Sequence, residues 1–208
     1  MFDKVRHDIN SYLSTSTRKK TSILNEIPKW LTYKASIWAV LHYRFGHWAY
    51  HQCRIKPLRP LLKLFYKATH IPILFLLNIY IDVNAEIGPG LYIGHFGSIW
   101  VGPVKIGKNC KISLHNVIGT RPNTTDRALP TIGNNVYIAP GAIIAGNITI
   151  GDNARIGANT VVVRNVPAGS LAIGNPTRLI PPTQTQANTT NVNDDTNKKA
   201  TPKPASSQ

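Results

Sequence analysis

Cysteine is scarce. Cys53 and Cys110 are the only two in 208 residues, which excludes a disulfide scaffold and a Cys-rich zinc site. Acid is scarce too: 9 Asp and Glu stand against 24 Lys and Arg, a formal net charge of +15 and a pI near 10.1. That imbalance asks for an anionic partner without naming it as membrane, acidic polymer or phosphorylated cofactor. Nucleic acid has only the net charge behind it, because no recognition motif accompanies the basic residues. Charged residues make up 16% and hydrophobic ones 42%, which excludes a coiled coil and a chain disordered throughout. Met1 to Lys20 has no apolar stretch of the secretory kind, so a cytoplasmic location is expected by default. The unbroken apolar core of the N-terminal third, Ile71 to Leu77, is far too short to span a bilayer.

The charge is unevenly spread, and it divides the chain into three regions. Residues 1–78 hold 13 Lys and Arg against 3 acids, residues 79–180 hold 8 against 4, and residues 181–208 hold 3 against 2. The last region has no aromatic residue and almost nothing to bury, so a disordered tail is expected. The first reads as basic and helical. Lys34 to Gln52 places Ile37, Leu41, Phe45 and Trp48 three or four residues apart on one face. Pro57 and Pro60 interrupt it before a second apolar segment, Leu61 to Ile81, broken by Lys63, Lys67, His70 and Pro72. Two readings of that segment stay open. It is a helix packed on the main domain or a partner subunit, or an interfacial element whose cations meet lipid heads while Leu and Phe enter the boundary.

What is abundant, between 79 and 180, is isoleucine at a fixed interval. Ile81, Ile87, Ile93 and Ile99 fall six apart, then Ile106, Ile112 and Ile118, then Ile132, Ile138, Ile144, Ile150, Ile156 and Val162. A period of six fits neither a helix nor a meander. It fits an all-β solenoid with three flat faces. Each hexapeptide gives one short strand, the aliphatic anchor points inward, and the small residue after it permits the corner. Coils then stack about 4.8 Å apart.

The segment from Ile132 to Ile180, with the loop Thr120 to Thr131 before it and the terminal GNPTRLI motif, resembles the hexapeptide-repeat acyltransferases, most of all their serine acetyltransferase-like branch. The resemblance covers about Tyr80 to Ile180. It implies a left-handed parallel β-helix, an exception to right-handed crossovers. It also implies a homotrimer with acetyl-CoA in clefts between neighbouring subunits, and no metal.

Acetyl transfer from a thioester to a hydroxyl needs a base and donors for the oxyanion. His95, in LYIGHFG, is the candidate base, two residues past anchor Ile93; the resemblance gives a His there that role. Other family positions are altered. Gly94 stands where an Asp usually precedes the base, and Pro103 replaces a Glu after a VG pair. The loop keeps Asp126 and Arg127 but has Ala128 in place of His. Tyr80 occupies the place of the acidic partner of the base, and Asp82, two residues on, is either its substitute or an exposed corner residue. Without the carboxylates that pair a substrate ammonium, free serine would be bound poorly. Tyr80, Phe96, Asp126 and Arg127 are the expected substrate residues. Ring faces at Phe96 or Trp100 suit a sugar, and polysaccharide-modifying members often read like YIGHFG. For the cofactor, the resemblance points to Gly119, Ala139, Gly141 and Ala158 beside the pantetheine and to Arg178 at the phosphates. Arg155 and Arg164 are as readily solvated cations. His115 reads as structural, and His42, His47 and His51 as surface or interface residues, one i, i+4 pair among them being too little for a metal.

The expectation is an acetyl-CoA-dependent O-acetyltransferase acting on a sugar of a surface polysaccharide or its precursor, with His95 as base. Its location is cytoplasmic, or peripheral at the inner membrane face through the N-terminal helices. Two rivals remain: a serine acetyltransferase of cysteine biosynthesis, and a non-enzymatic solenoid scaffold docking on membrane or glycan.

Overall fold

The computed structural model describes residues 2–14, 35–95, 97–121 and 128–182. Among the described residues three helices come first: α1 (Phe2–Ser14), α2 (Ser36–His51) and α3 (Arg59–Leu77). Asn78 then takes a left-handed conformation that ends α3, and the solenoid begins one residue later. Its first face stacks β1 (Ile79–Ile81), β4 (Ile99–Val101), β7 (Val117–Gly119), β10 (Ile143–Ala145) and β13 (Val161–Val162). The second stacks β2 (Glu86–Ile87), β5 (Lys105–Ile106), β8 (Thr131–Ile132) and β11 (Thr149–Ile150). The third stacks β3 (Tyr92–Ile93), β6 (Lys111–Ile112), β9 (Tyr137–Ile138), β12 (Arg155–Ile156) and β14 (Leu171–Ile173), with β15 (Arg178–Ile180) closing it antiparallel. All other ladders are parallel.

The six-residue anchors are the rungs. Ile87, Ile106, Ile132 and Ile150 are in register on the second face, and Ile93, Ile112, Ile138 and Ile156 on the third. The first face corrects the expected series at one point: Val101, not Ile99, aligns with Ile81 and Ile118, while Ile99 aligns with Ile79. Both side chains still point inward. The two extra residues lengthen the corner between β3 and β4, the corner that carries His95.

The glycine after the anchor has a physical cause along the second-to-third edge. A Cβ on Gly88 would lie 2.7 Å from the Gly107 backbone, and one on Gly107 2.6 Å from the Gly133 backbone. Beside this column Asn109, Asn135 and Asn153 hold positive φ and link amide to amide at 3.3 and 3.2 Å. Asn tolerates that conformation better than other non-glycine residues.

The helices close the open end of the first coil. In later coils the carbonyls of Val104, Ile106 and Ile112 accept bonds from the coil before. The equivalent first-coil carbonyls have no such neighbour. Tyr43 Oη donates to Ala85 O (2.6 Å), Arg44 to Ile87 O (2.7 Å) and Ser36 Oγ to Ile93 O (2.8 Å). Tyr12 Oη accepts from Ile93 N (3.1 Å), and buried Asp8 accepts from Gly90 N and Leu91 N while pairing with Arg44 at 2.8 Å. An edge that would otherwise invite another strand is thereby satisfied by side chains.

That capping shifts the buried face of α2 from the expected one. Ile37, Val40, Tyr43, Arg44, Gly46 and Ala49 are buried, whereas Leu41, Phe45 and Trp48 are half-buried. The helix serves two partners, the solenoid end and α3, so no single stripe suffices. Gly46 lets Tyr66 of α3 come close: a Cβ there would be 2.2 Å from the ring. The expected tail, beyond residue 182, lies outside the described residues.

Candidate active site

One edge of the prism gathers most of the residues singled out for chemistry. Chain turning from the third face to the first passes His95 in the first coil, His115 in the second, Ala139 and Gly141 in the third, and Ala158 in the fourth. Backbone bonds stack these corners: His115 N to Gly97 O (3.0 Å), Gly141 N to Leu114 O (3.0 Å) and Asn159 N to Pro140 O (2.9 Å). At about 4.8 Å per coil, His95 and Ala158 are roughly 14 Å apart along the edge. His95 is exposed and bonds to no described residue, so its ring is available to a ligand.

The other corners are partly committed to the fold. His115 sits at φ 58°, a turn position that Asn159 fills two coils on. Gly141 has φ 74°, and a Cβ on it would be 2.1 Å from Asn159 Oδ1, so glycine is demanded there by packing. Ala139 is buried at 7% exposure, with its N–H donating to Ile156 O at 2.9 Å. Ala158 is exposed. Gly119 lies off this edge, at the far end of β7, where the loop departs; no described atom lies within 4 Å of a Cβ built on it. Arg178 is exposed on β15 at the distal end of the third face. The other two cations are engaged: Arg164 donates to Thr177 O, and Arg155 lies 5.6 Å from the Tyr137 ring.

Asp82 does not join His95. It stands at the corner between the first and second faces, where its Oδ1 accepts from Asn84 N (2.8 Å) and Nδ2 (3.0 Å) and its Oδ2 from Tyr80 Oη (3.2 Å). The carboxylate therefore holds its own turn, and the expected role as partner to the base is corrected. Phe96, Asp126 and Arg127 lie outside the described residues.

Beside the His95 corner is an aromatic wall that the sequence pattern did not disclose in full. Tyr80 and Trp100 are paired across β1 and β4 and stack at 4.1 Å. Trp100 is 52% exposed, leaving a ring face free. His70 of α3 meets Tyr80 edge-on at 5.7 Å, and His42 stacks on Tyr66 at 4.4 Å. A cavity of about 430 Å³ between α3 and the first coil is lined by Tyr50, Tyr66, Lys67, His70, Tyr80 and Asp82, among others. His42, expected at the surface or an interface, is half-buried between α2 and α3. Its Nε2 lies 3.0 Å from Thr69 Oγ1, and burial, then the neighbouring His70, pushes its pKa down to about 4. His47 is likewise inside, donating to Val83 O at 3.0 Å, with its pKa lowered chiefly by burial. Tyr80's hydroxyl is pushed up by burial and then by Asp82, so it remains protonated and a donor. Tyr80 and Trp100 were singled out from the sequence; Tyr66 and His70, an i, i+4 pair on the inner face of α3, were not.

Residues 130–164 match the family described as bacterial transferase hexapeptide (six repeats). A serine acetyltransferase of Staphylococcus xylosus is 30% identical over 178 residues, covering 85% of this chain and 76% of that protein. The chain belongs to the serine acetyltransferase family. Soybean serine acetyltransferase complexed with serine superposes with a TM-score of 0.67 at 28% identity, covering 86% of this chain and 68% of that one. A serine acetyltransferase in complex with CoA gives 0.69 at 28%, with the same coverage. Against longer plant and cyanobacterial members of the family, from Arabidopsis thaliana and Synechococcus elongatus, the chain spans only 25% to 55% of their length. These relatives carry serine acetyltransferase names, so the sugar-modifying branch suggested by YIGHFG finds no support among them.

Proposed function

We propose that this protein transfers the acetyl group of acetyl-CoA to the side-chain hydroxyl of serine. The observation that carries the transferase chemistry is the alignment of the exposed His95 corner with the exposed Ala158 corner along one edge, in a family whose members are acetyltransferases. An extended cofactor laid along that edge brings its thioester to His95 and its phosphates toward Arg178. His95 takes the acceptor's hydroxyl proton as the oxygen attacks the thioester carbonyl. The tetrahedral centre collapses, the C–S bond breaks, and the same imidazolium returns the proton to the departing sulfur. Attack is direct, so no acyl-enzyme forms, and an imidazole is chemically suited to both proton transfers at neutral pH.

A second acceptor, a sugar hydroxyl, is favoured by the Tyr80–Trp100 stack, whose exposed face matches a pyranose ring, and by the absence of carboxylates at Gly94 and Pro103. Thiol release from acetyl-CoA, followed with serine and with a panel of hexoses and aminosugars, separates them. Serine turnover at ordinary enzyme rates is the expected result. Release that responds only to sugars would overturn the serine assignment while leaving the transferase in place.

A further inference from the structure

The cavity of about 430 Å³ between α3 and the first coil holds more polar chemistry than the fold uses. Its floor is buried, with Tyr66 6% and Ile81 4% exposed. The Tyr66 hydroxyl nonetheless finds no hydrogen-bond partner among the described residues. Burial, ahead of the neighbouring tyrosines and Asp82, pushes its pKa up, so it stays a donor. His70 lines the same space, and its Nδ1 is buried and equally unpartnered. Native proteins leave few buried polar groups unmet, and two lining one cavity point to something that enters it. The cavity also carries both signs of charge. Lys67 lies on its helix wall and Asp82 on its coil wall, yet no ion pair joins them, and Lys67 has no other acidic partner among the described residues. Asp82 accepts three hydrogen bonds, from Asn84 and Tyr80, and a carboxylate has room for about four.

We propose that this cavity binds a free α-amino acid with an apolar side chain. Its carboxylate meets Lys67, its ammonium meets Asp82, and its side chain lies toward Ile81. A simple anion would be brought against Asp82 and a simple cation against Lys67, whereas a zwitterion satisfies both. A sugar would call for a free ring face. Lys63, His42 and Trp100 already lie on Tyr50, Tyr66 and Tyr80, and the exposed Trp100 ring is not part of the lining. The volume suits a small molecule, whose sites begin at about 300 Å³. This site is apart from the one assigned to acetyl transfer. Chain leaving the His95 corner is tied to the start of β1, where Ile99 N donates to Asn78 O at 3.0 Å, while Asp82 follows the end of β1. One face of the prism, roughly 10 Å, separates the two. An occupant bridges α3 and the first coil, so it acts on the seating of the helices and not as the acetyl acceptor.

The test is isothermal titration calorimetry of the full chain with leucine as the probe. Isocaproate and isoamylamine, which keep its side chain but carry one charge each, are titrated beside it, as is glucose. Saturable binding of leucine is expected, with each analogue weaker by at least about tenfold and no binding of glucose. Lys67→Met, at an exposed position, should weaken leucine by about tenfold. Tyr66→Phe should weaken it by about fivefold without lowering the melting temperature of the free protein, because the hydroxyl it removes is unpaired. His95→Ala should bind leucine as the wild type does, whether or not the wild type acetylates serine, so the two readings are tested separately. Absence of saturable leucine binding would overturn the proposal, as would an analogue or glucose that binds as well as leucine. So would a leucine affinity unmoved by both Lys67→Met and Tyr66→Phe, or one lost in His95→Ala.

Discussion

Arg44 is 4% exposed yet carries a full charge, and its setting explains how that is tolerated. Asp8 supplies the counter-charge, and the carbonyls of Ile87 and Gly88 take the remaining guanidinium hydrogens at 2.7 and 2.6 Å. Such a pair is not by itself a source of stability, because taking two charges out of water costs about what their attraction returns. Breaking it is another matter. Arg44→Met would leave Asp8 buried and uncompensated and two carbonyls without donors, a loss of about 3–5 kcal/mol. Urea unfolding of the variant checks this; a loss under about 1 kcal/mol would mean that the helices do not cap the solenoid as described. Neither residue was legible beforehand, since Asp8 and Arg44 are separated by 36 positions and share no motif. By contrast, the place of His95 at an exposed corner was legible from LYIGHFG, because the anchor Ile93 lies two residues earlier.

At the scale of the element, the hexapeptide is a strand of two or three residues and a corner, and stacking neighbours supply everything else. The tight second-to-third edge shows how strict this is. Gly107→Ala would press a methyl against the Gly133 backbone 2.6 Å away, and because backbone cannot rotate aside, a loss of about 1–3 kcal/mol is expected. Gly119→Ala, where the space is open, is the matched control for stability in thermal unfolding; equal melting temperatures for the two would refute the packing account. Solenoid and register were readable because one physical requirement, an inward aliphatic every sixth residue, repeats in every coil. The series failed only at Ile99, since a corner that is two residues longer leaves an aliphatic in the right interval but off the rung. The helices were less readable. Leu41, Phe45 and Trp48 obey helical spacing, yet α2 divides its surface between two partners, and periodicity reports only that a face is apolar, not which neighbour covers it.

Over the whole molecule, the net charge of +15 and the chemistry occupy different places. Thirteen of the 24 cations fall in residues 1–78, the region whose helices cap the first coil beside the cavity lined by Tyr80 and His70. The corners assigned to the base and cofactor run along the solenoid from that end. On the proposed reading the acceptor would be met near the helix end of the solenoid, with the donor laid along the edge. The departures at Gly94 and Pro103 fall at positions that the resemblance gives to the acceptor and the one at Tyr80 at the partner of the base, which is why the resemblance carries the fold and the donor further than the acceptor. The aromatic cluster around Tyr80 is assembled from α2, α3, β1 and β4, and no contiguous motif encodes it.

The central claim is that His95 is the base of an acetyl transfer. Thiol release from acetyl-CoA in the presence of serine should fall by about 10²–10⁴-fold in His95→Ala, with the melting temperature unchanged because the ring contacts no described residue. Undiminished release by His95→Ala would contradict the account.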